Sequence, residues 1–261
     1  MRIEMSSVSE VKNLPSQLYS AFSPGPDLVV RFIYRLTQSY RLGKKVRLLD
    51  VGCGPGKMLP KYAQLGWQVE GLEIDSDFYA QALQLAETLQ NVEVRPGGFN
   101  DIKQRSVYDL ITAINGPFAY LLEREAQVDA LERVYRALKP GGLFFLDIPN
   151  LLWFLKNDPE PPCAKKSVAG LRVQHQAQYE YDVHEATFTQ RNEYIIEAPN
   201  GHATKLRKTD RHAIITYPDL VYLLEEGGFI KLRSYNSYRS RRATLLKGKR
   251  IMLAAQKPVR Q

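Results

Sequence analysis

The sequence predicts an α/β protein, a parallel sheet with helices on both faces, interrupted by an inserted antiparallel β lobe. Three observations support this fold class. Short runs rich in Val and Leu alternate with helix-like segments from 46 to 146, which is the rhythm of consecutive βαβ units. After Asn150 the pattern changes to a strict two-residue alternation, which is typical of strands with one wet face. The helix and strand rhythm returns at Asp219.

Local signals place the elements of the first half. The first 25 residues are polar and interrupted by prolines, so they predict a loop, and Asp27 is placed to cap a first helix. The helix over 76–90 is expected to be capped by Asp75 or Ser76, and the helix over 57–65 is expected to end at Gly66. The predicted strands cover 46–51, 68–74, 91–95, 108–114 and 143–146, and the predicted helices cover 57–65, 76–90 and 123–138.

The second half is predicted to be mainly antiparallel. The run Leu151–Leu155 suggests the buried face of a crossover helix or a lid over an apolar substrate. The prolines within 157–168 predict a loop. This insertion of about 60 residues is far longer than an ordinary connection between elements. Its predicted strands cover 171–183, 187–197 and 203–216, and a helix over 219–226 with strands over 229–235 and 250–256 closes the chain.

Composition excludes several classes of protein. The chain has 261 residues, is 44% hydrophobic and carries a net charge of +8, which argues against a disordered or disulfide-stapled chain. The last 31 residues hold ten basic and no acidic side chains, so the charge is local and a chromatin-like coat is not expected. Two distant cysteines and an N-terminus without an apolar segment indicate a cytoplasmic protein.

A glycine loop between the first strand and the next helix is the main chemical signal. Gly52, Gly54 and Gly56 allow a sharp turn and a close approach to a ligand, and Glu73 ends the following strand. A carboxylate in that place is suited to ribose hydroxyls, so we expect a nucleoside-type ligand. The dinucleotide fingerprint needs Gly or Ala where this chain has Lys57, so the match to that class is imperfect.

The segment Asp50–Gly56 resembles the first motif of class I S-adenosylmethionine-dependent methyltransferases. Three other stretches are similar to the family's second acidic motif, its fourth-strand motif and its post-helix motif, namely 71–75, 108–111 with 118–121, and 137–147. The resemblance covers about 45–150 strongly and 217–258 moderately. It implies a Rossmann-like seven-stranded sheet in the order 3-2-1-4-5-7-6, with strand 7 antiparallel. It also implies S-adenosyl-L-methionine as cofactor, lying across the carboxyl ends of strands 1, 2 and 4.

With that resemblance, the chain divides into four regions. We expect an N-terminal segment and cap helix over 1–43 and a cofactor-binding core over 44–156. The antiparallel β insertion over 157–216 would lie on the substrate side, and a final helix and hairpin over 217–261 would complete the core.

The resemblance also implies the cofactor contacts. Glu73 would bind the ribose hydroxyls, and Ile74 would pack on the adenine. The family often has an Asp for the adenine amine where this chain has Phe99 and Asn100, so one of these replaces it or the contact is made by backbone alone. The remaining implied contacts flank the methionine moiety or border the sulfonium, and they are Asp50, Gly52, Cys53, Gly54, Gly56, Asn115 and Gly116.

The sequence indicates less about the methyl acceptor than about the cofactor. All four histidines lie in the insertion, which covers the substrate pocket in relatives of this layout, and His184 and His212 are candidates for a general base. No cluster has metal-ligand spacing. The basic tail is either a solvated loop or a surface for phosphate, carboxylate or nucleic acid, and its members are Arg239, Arg241, Arg242, Lys247, Lys249 and Arg250.

We therefore expect a methyltransferase that acts on an N or O atom of a small molecule. An acceptor with an anionic group would suit the basic tail. An RNA-directed methyltransferase that uses the basic tail is the nearest alternative. A dinucleotide-dependent oxidoreductase and a non-catalytic nucleoside-binding module are alternatives from other classes.

Overall fold

The computed structural model describes residues 14–157 and 163–259, which divide into two compact units. The β unit comprises residues 1–23 with 157–214, and the core unit comprises 24–156 with 215–261. The loop predicted over residues 1–13 and the prolines Pro159, Pro161 and Pro162 lie outside the described residues.

The bounds of the elements follow the chain. The helices are α1 (Leu14–Phe22), α2 (Pro26–Ser39), α3 (Leu59–Gln64), α4 (Ser76–Ala86), α5 (Arg124–Ala137), α6 (Leu151–Asn157) and α7 (Tyr217–Glu226). The strands are β1 (Arg47–Val51), β2 (Gln68–Glu73), β3 (Val92–Pro96), β4 (Tyr108–Ala113), β5 (Leu138–Pro149), β6 (Cys163–Val168), β7 (Leu171–Asp182), β8 (Thr187–Glu197), β9 (Ala203–Ala213), β10 (Ile230–Tyr235) and β11 (Arg250–Gln256).

The core unit is built on a seven-stranded sheet in the order β10-β11-β5-β4-β1-β2-β3. The strands from β1 to β5 pair in parallel, and β11 pairs antiparallel with both β5 and β10. The predicted order 3-2-1-4-5-7-6 and the antiparallel last strand are confirmed. Carboxyl ends of parallel strands share one edge of a sheet, so the segments after β1, β2, β4 and β5 meet there.

The core of this unit forms because its strands are apolar on both faces. Leu48 and Leu49 of β1 are fully buried, as expected for a parallel sheet covered by helices. Helix α2 presents a stripe at helical spacing, including Val29, Phe32 and Leu36, to the same core. Burying one such side chain stabilises the fold by about 1.5–3 kcal/mol.

The β unit contains an antiparallel sheet in the order β6-β7-β8-β9. The alternation predicted for β7 is confirmed over 171–177, where Leu171, Val173, His175 and Ala177 are buried and the residues between them are partly or fully exposed. It is lost further along, where Tyr181 is exposed. Helix α1 covers this apolar face with Leu14 and Leu18, which pack in one cluster with residues of β6, β7 and β8.

Two loop predictions and one prediction of burial are wrong. The N-terminal loop contains α1, and the loop over 157–168 contains β6, because each element gains its stability from the β-unit sheet rather than from local sequence. The crossover helix is the short α6, in which Leu152 and Leu155 are about half exposed. The apolar run of α6 is therefore buried only in part.

The predicted ends of several elements also need correction. Gly25 is the N-cap of α2 and Pro26 opens the helix, so Asp27 lies in the first turn instead of capping it. Asp75 caps α4 through bonds from two backbone amides, and the helix ends at Ala86. Strand β5 begins at Leu138, so the glycines expected to stop the preceding helix lie inside the strand. Within the described residues, no helix has the length and apolar character needed to span a membrane.

Candidate functional site

The glycine loop lies between β1 and α3 at the carboxyl edge of the core sheet. Gly52, Gly54 and Gly56 all have positive φ, at +70°, +60° and +80°. A Cβ on Gly52 would stand 2.7 Å from the Cβ of Pro117, so this position combines a left-handed backbone with a close contact. The amides of Gly52 and Cys53 donate to the carbonyl of Leu72 at 2.8 and 3.0 Å, which fixes the loop against β2.

Glu73 ends β2 and bonds to this loop. Its Oε2 accepts from the Gly54 amide at 2.6 Å, and its Oε1 accepts from the Asp75 amide at 2.9 Å. The side chain is buried, and burial raises the pKa of Glu73, although these backbone bonds oppose the shift. The structure therefore brings Glu73 and the glycine loop together, as the sequence predicted.

Asp50 is buried beneath the loop at the end of β1. The Thr112 hydroxyl of β4 donates to its Oδ1 at 2.7 Å. Burial raises the pKa of Asp50 to about 7, the Thr112 hydrogen bond opposes that shift, and the charge of Glu73 adds to it. A carboxylate in this state is suited to a cationic group, whose approach would favour the ionised form.

Cys53 has a structural environment. A Cβ on Gly71 would lie 2.8 Å from its Sγ, so the thiol lies directly over that glycine of β2. Burial raises the pKa of the Cys53 thiol well above its usual range, which is the opposite of what an activated nucleophile needs.

The turn after β4 borders the same edge. Asn115 and Gly116 both have positive φ, at 70° and 99°, and the Asn115 amide donates to the carboxylate of Asp147. The following residues form a 3₁₀ turn in which Phe118 packs edge-on against Phe99 at 5.6 Å between ring centres.

The residues predicted to contact adenine differ in exposure. Ile74 is 83% exposed, which leaves its side chain open as a platform. Phe99 is buried against Phe118, whereas Asn100 is exposed. Of the two replacements considered for the family's Asp, Asn100 is thus the accessible one.

The two histidines predicted as candidates for a general base belong to the β unit. His184 follows β7 and its side chain is 92% exposed. His212 is buried in β9 and stacks on the Phe188 ring at 4.9 Å. The structure does not bring the two into one cluster, and a catalytic role for either stays a prediction.

A buried cluster around Asp147 was missed by the sequence analysis. Asp147 of β5 is fully buried and accepts hydrogen bonds from Tyr238 at 2.5 Å and from the Arg250 guanidinium at 2.9 and 3.1 Å. The available signal was one carboxylate within the apolar run Leu143–Ile148, but its partners lie about a hundred residues away along the chain.

The basic loop, residues 236–249, joins β10 to β11 at the same edge of the sheet. Arg250 opens β11 opposite Pro149, the last residue of β5, which confirms the predicted side of the loop. The ion pair with Asp147 removes Arg250 from the solvated set. Lys249 lies over the Trp153 ring at 5.2 Å, and the exposed basic residues of the loop are Arg239, Arg241, Arg242, Lys247 and Lys249.

Comparisons with known proteins agree with this architecture. Residues 48–142 match a family model described as a methyltransferase domain, which confirms the resemblance for that part of the chain. A cypemycin N-terminal methyltransferase from a Streptomyces species is 30% identical over 128 residues, 49% of this chain and 50% of that protein. A ubiquinone biosynthesis O-methyltransferase from Bradyrhizobium is 28% identical over 49% of each chain. The chain thus spans about half the length of the curated relatives it matches.

Solved structures match over a larger share of the chain. An S-adenosylmethionine-dependent methyltransferase from Clostridium acetobutylicum has a TM-score of 0.74 at 15% identity, covering 93% of this chain and 96% of that one. The sugar N-methyltransferase KedS8 from a Streptoalloteichus species has a TM-score of 0.75 at 17% identity and covers 99% of both chains. At these identities the likeness establishes the fold, the Rossmann-like fold of class I methyltransferases.

Proposed function

We propose that this chain, whose residues 48–142 match the methyltransferase domain family, is an enzyme that transfers a methyl group from S-adenosyl-L-methionine to a small molecule. The observation that carries the proposal is the contact between Glu73 and the Gly54 amide, which joins a ribose-type carboxylate to the glycine loop. The Lys57 mismatch disfavours a dinucleotide, because a third small residue is needed there beneath pyrophosphate.

The residues present are suited to this cofactor. A Cβ on Gly52 would enter space held by Pro117, so only glycine allows the loop to lie this close to the turn after β4. In the proposal, Glu73 holds the ribose and Ile74 supports the adenine. The buried Asp50 then lies on the side of the cationic amino group, and the turn at Asn115 borders the sulfonium.

The cofactor, when bound, supplies a methyl group on a positively charged sulfur for an in-line displacement. The contribution of the chain is alignment, because holding two reactants in register can offset a large part of the barrier through entropy. Rigid turns at Gly52 and at Asn115 serve this purpose, since both are held in left-handed conformations by hydrogen bonds to neighbouring strands.

The proposal also covers the charge of the methyl acceptor and the cellular compartment of the enzyme. Among the described residues, no carboxylate pairs with Arg239, Arg241, Arg242 or Lys247 of the basic loop. We therefore propose an acceptor that carries a phosphate or carboxylate, recognised at the edge where the cofactor binds. The free thiol of Cys53 supports a cytoplasmic location, where cysteines stay reduced.

Calorimetry tests the cofactor. We expect binding of S-adenosylhomocysteine and no binding of NAD or NADP. Glu73→Ala is expected to lower that affinity about 10- to 150-fold, since a hydrogen bond to a charged group contributes about 1.5–3 kcal/mol. Glu93→Ala, an exposed carboxylate on the neighbouring strand β3, is the matched control and should change nothing. Binding of NAD without S-adenosylhomocysteine would overturn the proposal.

A methyl-transfer screen with labelled cofactor over metabolite and RNA pools tests the acceptor. The double variant Arg241→Glu with Arg242→Glu should lose most label in anionic metabolites. The control is Lys44→Glu with Lys45→Glu, an exposed pair just before β1 and so at the opposite edge of the sheet. Label in RNA, with an affinity that falls steeply as salt rises, would instead support the RNA-directed alternative.

A further inference from the structure

The carboxylate of Asp147 bonds to three separate segments of the core unit. It accepts from the backbone amide of Asn115 after β4, from the hydroxyl of Tyr238 in the basic loop, and from Arg250 at the start of β11. The side chain has no exposure to solvent. Burial, and next the charge of Asp147, raise the pKa of Tyr238, so its hydroxyl stays protonated and can donate.

One side of this cluster leads to the glycine loop. Asn115 has φ of 70°, a left-handed conformation that few residues other than Gly, Asn and Asp adopt readily. The bond from its amide to Asp147 fixes this turn, and two residues later Pro117 stands where a Cβ on Gly52 would have to be. Asp147 thus bonds directly to the turn that packs against the glycine loop.

The other side leads to the root of the basic loop. Arg35 of α2 donates to the carbonyls of Tyr238 and Ser240 at 3.0 and 3.4 Å. The ring of Phe32 packs edge-on against Tyr238 at 5.5 Å. Tyr238 is thus buried and fixed, although its neighbours Arg239 and Arg241 are exposed. The root of the loop is rigid where it meets Asp147.

Stability alone does not account for the cluster. Removing two charges from water is costly, and buried ion pairs are often no more stabilising than apolar residues of similar volume. The core unit has a second cluster built from a carboxylate, a tyrosine and an arginine. In it, Glu70 of β2 accepts from Tyr108 and from Arg95. That cluster lies three residues before the end of β2 and contacts neither the Asn115 turn nor the basic loop in any hydrogen bond among the described residues.

We propose that Asp147 is a positioning residue, which holds the Asn115–Pro117 turn against the glycine loop and fixes the root of the basic loop 236–249. One carboxylate then sets the cofactor-side turn and the acceptor-side loop relative to each other within the core unit. This role rests on the proposed function, because the two segments border the cofactor and the acceptor only in that reading.

Asp147→Asn tests the role, with Glu70→Gln as the matched control. Both variants remove one buried charge from a Tyr and Arg pair, and both are expected to lower the urea midpoint. Only Asp147→Asn should weaken S-adenosylhomocysteine binding in calorimetry, by about tenfold, the effect of about 1.4 kcal/mol. It should also speed hydrogen exchange of the amides in 115–118, and Glu70→Gln should not.

Limited digestion with trypsin reports on the loop. Asp147→Asn should be cut faster than the wild type at Arg239 to Lys247, and Tyr238→Phe should show the same change with a smaller loss of affinity. If Asp147→Asn does not fold, Tyr238→Phe and Arg250→Lys carry the test.

Equal losses of affinity in Asp147→Asn and Glu70→Gln, or unchanged exchange and digestion, would overturn the positioning role. A wild type that does not bind S-adenosylhomocysteine overturns the proposed function instead, and the exchange and digestion measurements then still decide whether Asp147 fixes these segments.

Discussion

The carboxyl edge of the core sheet and the β unit hold their acidic residues differently. At the edge, Asp50, Glu73 and Asp147 are buried, and each bonds to a backbone amide or to a side chain from another strand or loop. In the β unit, Glu180 and Glu193 form ion pairs with basic residues on exposed parts of neighbouring strands. Exposed pairs contribute little to stability, whereas buried polar groups are costly to leave unpaired. Substitutions at the edge should therefore change ligand binding much more than substitutions in the β unit.

The largest difference is expected between two glycines with similar backbones. Gly52 at the edge has φ of +70°, and a Cβ there would be 2.7 Å from Pro117. Gly201, in the turn between β8 and β9, has φ of +84° and nothing within 4 Å of the same atom. Both alanine variants should lose about 1–2 kcal/mol from the left-handed conformation. Only Gly52→Ala adds a clash, which costs about another 1–3 kcal/mol and displaces the turn at Pro117.

We expect Gly52→Ala to weaken S-adenosylhomocysteine binding about 100-fold or more and Gly201→Ala to leave it unchanged. Calorimetry and urea denaturation measure the two effects separately. Similar affinities for both variants would mean that the glycine loop tolerates displacement, which would contradict the assignment of the loop to the cofactor.

These glycines also show which parts of the fold can be read from sequence. Strand β1, its glycine loop and Glu73 were predicted because their signals are local, namely an apolar run, residues that adopt positive φ and a polar residue at a strand end. The same holds for the alternation of β7, since period-two burial is a property of one strand. All of these predictions were correct in type and nearly correct in bounds.

The features that were missed depend on contacts between distant segments. Helix α1 is nine residues long, a length at which helices need packing partners, and those partners are strands of the β unit more than 140 residues later. The cluster of Asp147, Tyr238 and Arg250 is held together by the order of the sheet, which places β11 beside β5. No local pattern distinguishes Arg250 from the other basic residues of the tail, although its charge is paired and theirs is solvated.

A smaller effect should appear in the pH dependence of binding. The pKa of Asp50 is raised to about 7, so at pH 6 its carboxyl is mostly protonated in the free protein. A bound ammonium group favours the carboxylate, and binding below pH 7 must therefore release a proton. We expect affinity for S-adenosylhomocysteine to rise about tenfold from pH 6 to pH 8. Asp182 in the β unit has a lowered pKa because of bonds from the backbone amides of Glu185 and His184, so it stays ionised throughout this range.

Calorimetry in two buffers of different ionisation enthalpy measures the protons released. We expect close to one at pH 6 and none at pH 8, and Asp50→Asn should abolish the difference. Thr112→Val removes the hydrogen bond that favours the carboxylate, so the pKa of Asp50 should rise further and the pH dependence should move upward. Affinity that is independent of pH in the wild type would show that binding does not change the protonation of Asp50, which contradicts this prediction.

The smallest effects are expected for the two histidines of the β unit. The proposed cofactor contacts all belong to the core unit, so His184→Ala and His212→Ala should leave S-adenosylhomocysteine affinity within about twofold of the wild type, a difference of about 0.4 kcal/mol. Their stabilities should differ, because His212 is buried against Phe188 and His184 is exposed. The loss of an aromatic stack costs about 0.5–1.5 kcal/mol beyond the area it buries, which urea denaturation resolves. If either residue acts as a base, its variant will lower methyl incorporation in the labelled screen at unchanged affinity. A loss of affinity in His184→Ala would instead contradict the assignment of all cofactor contacts to the core unit.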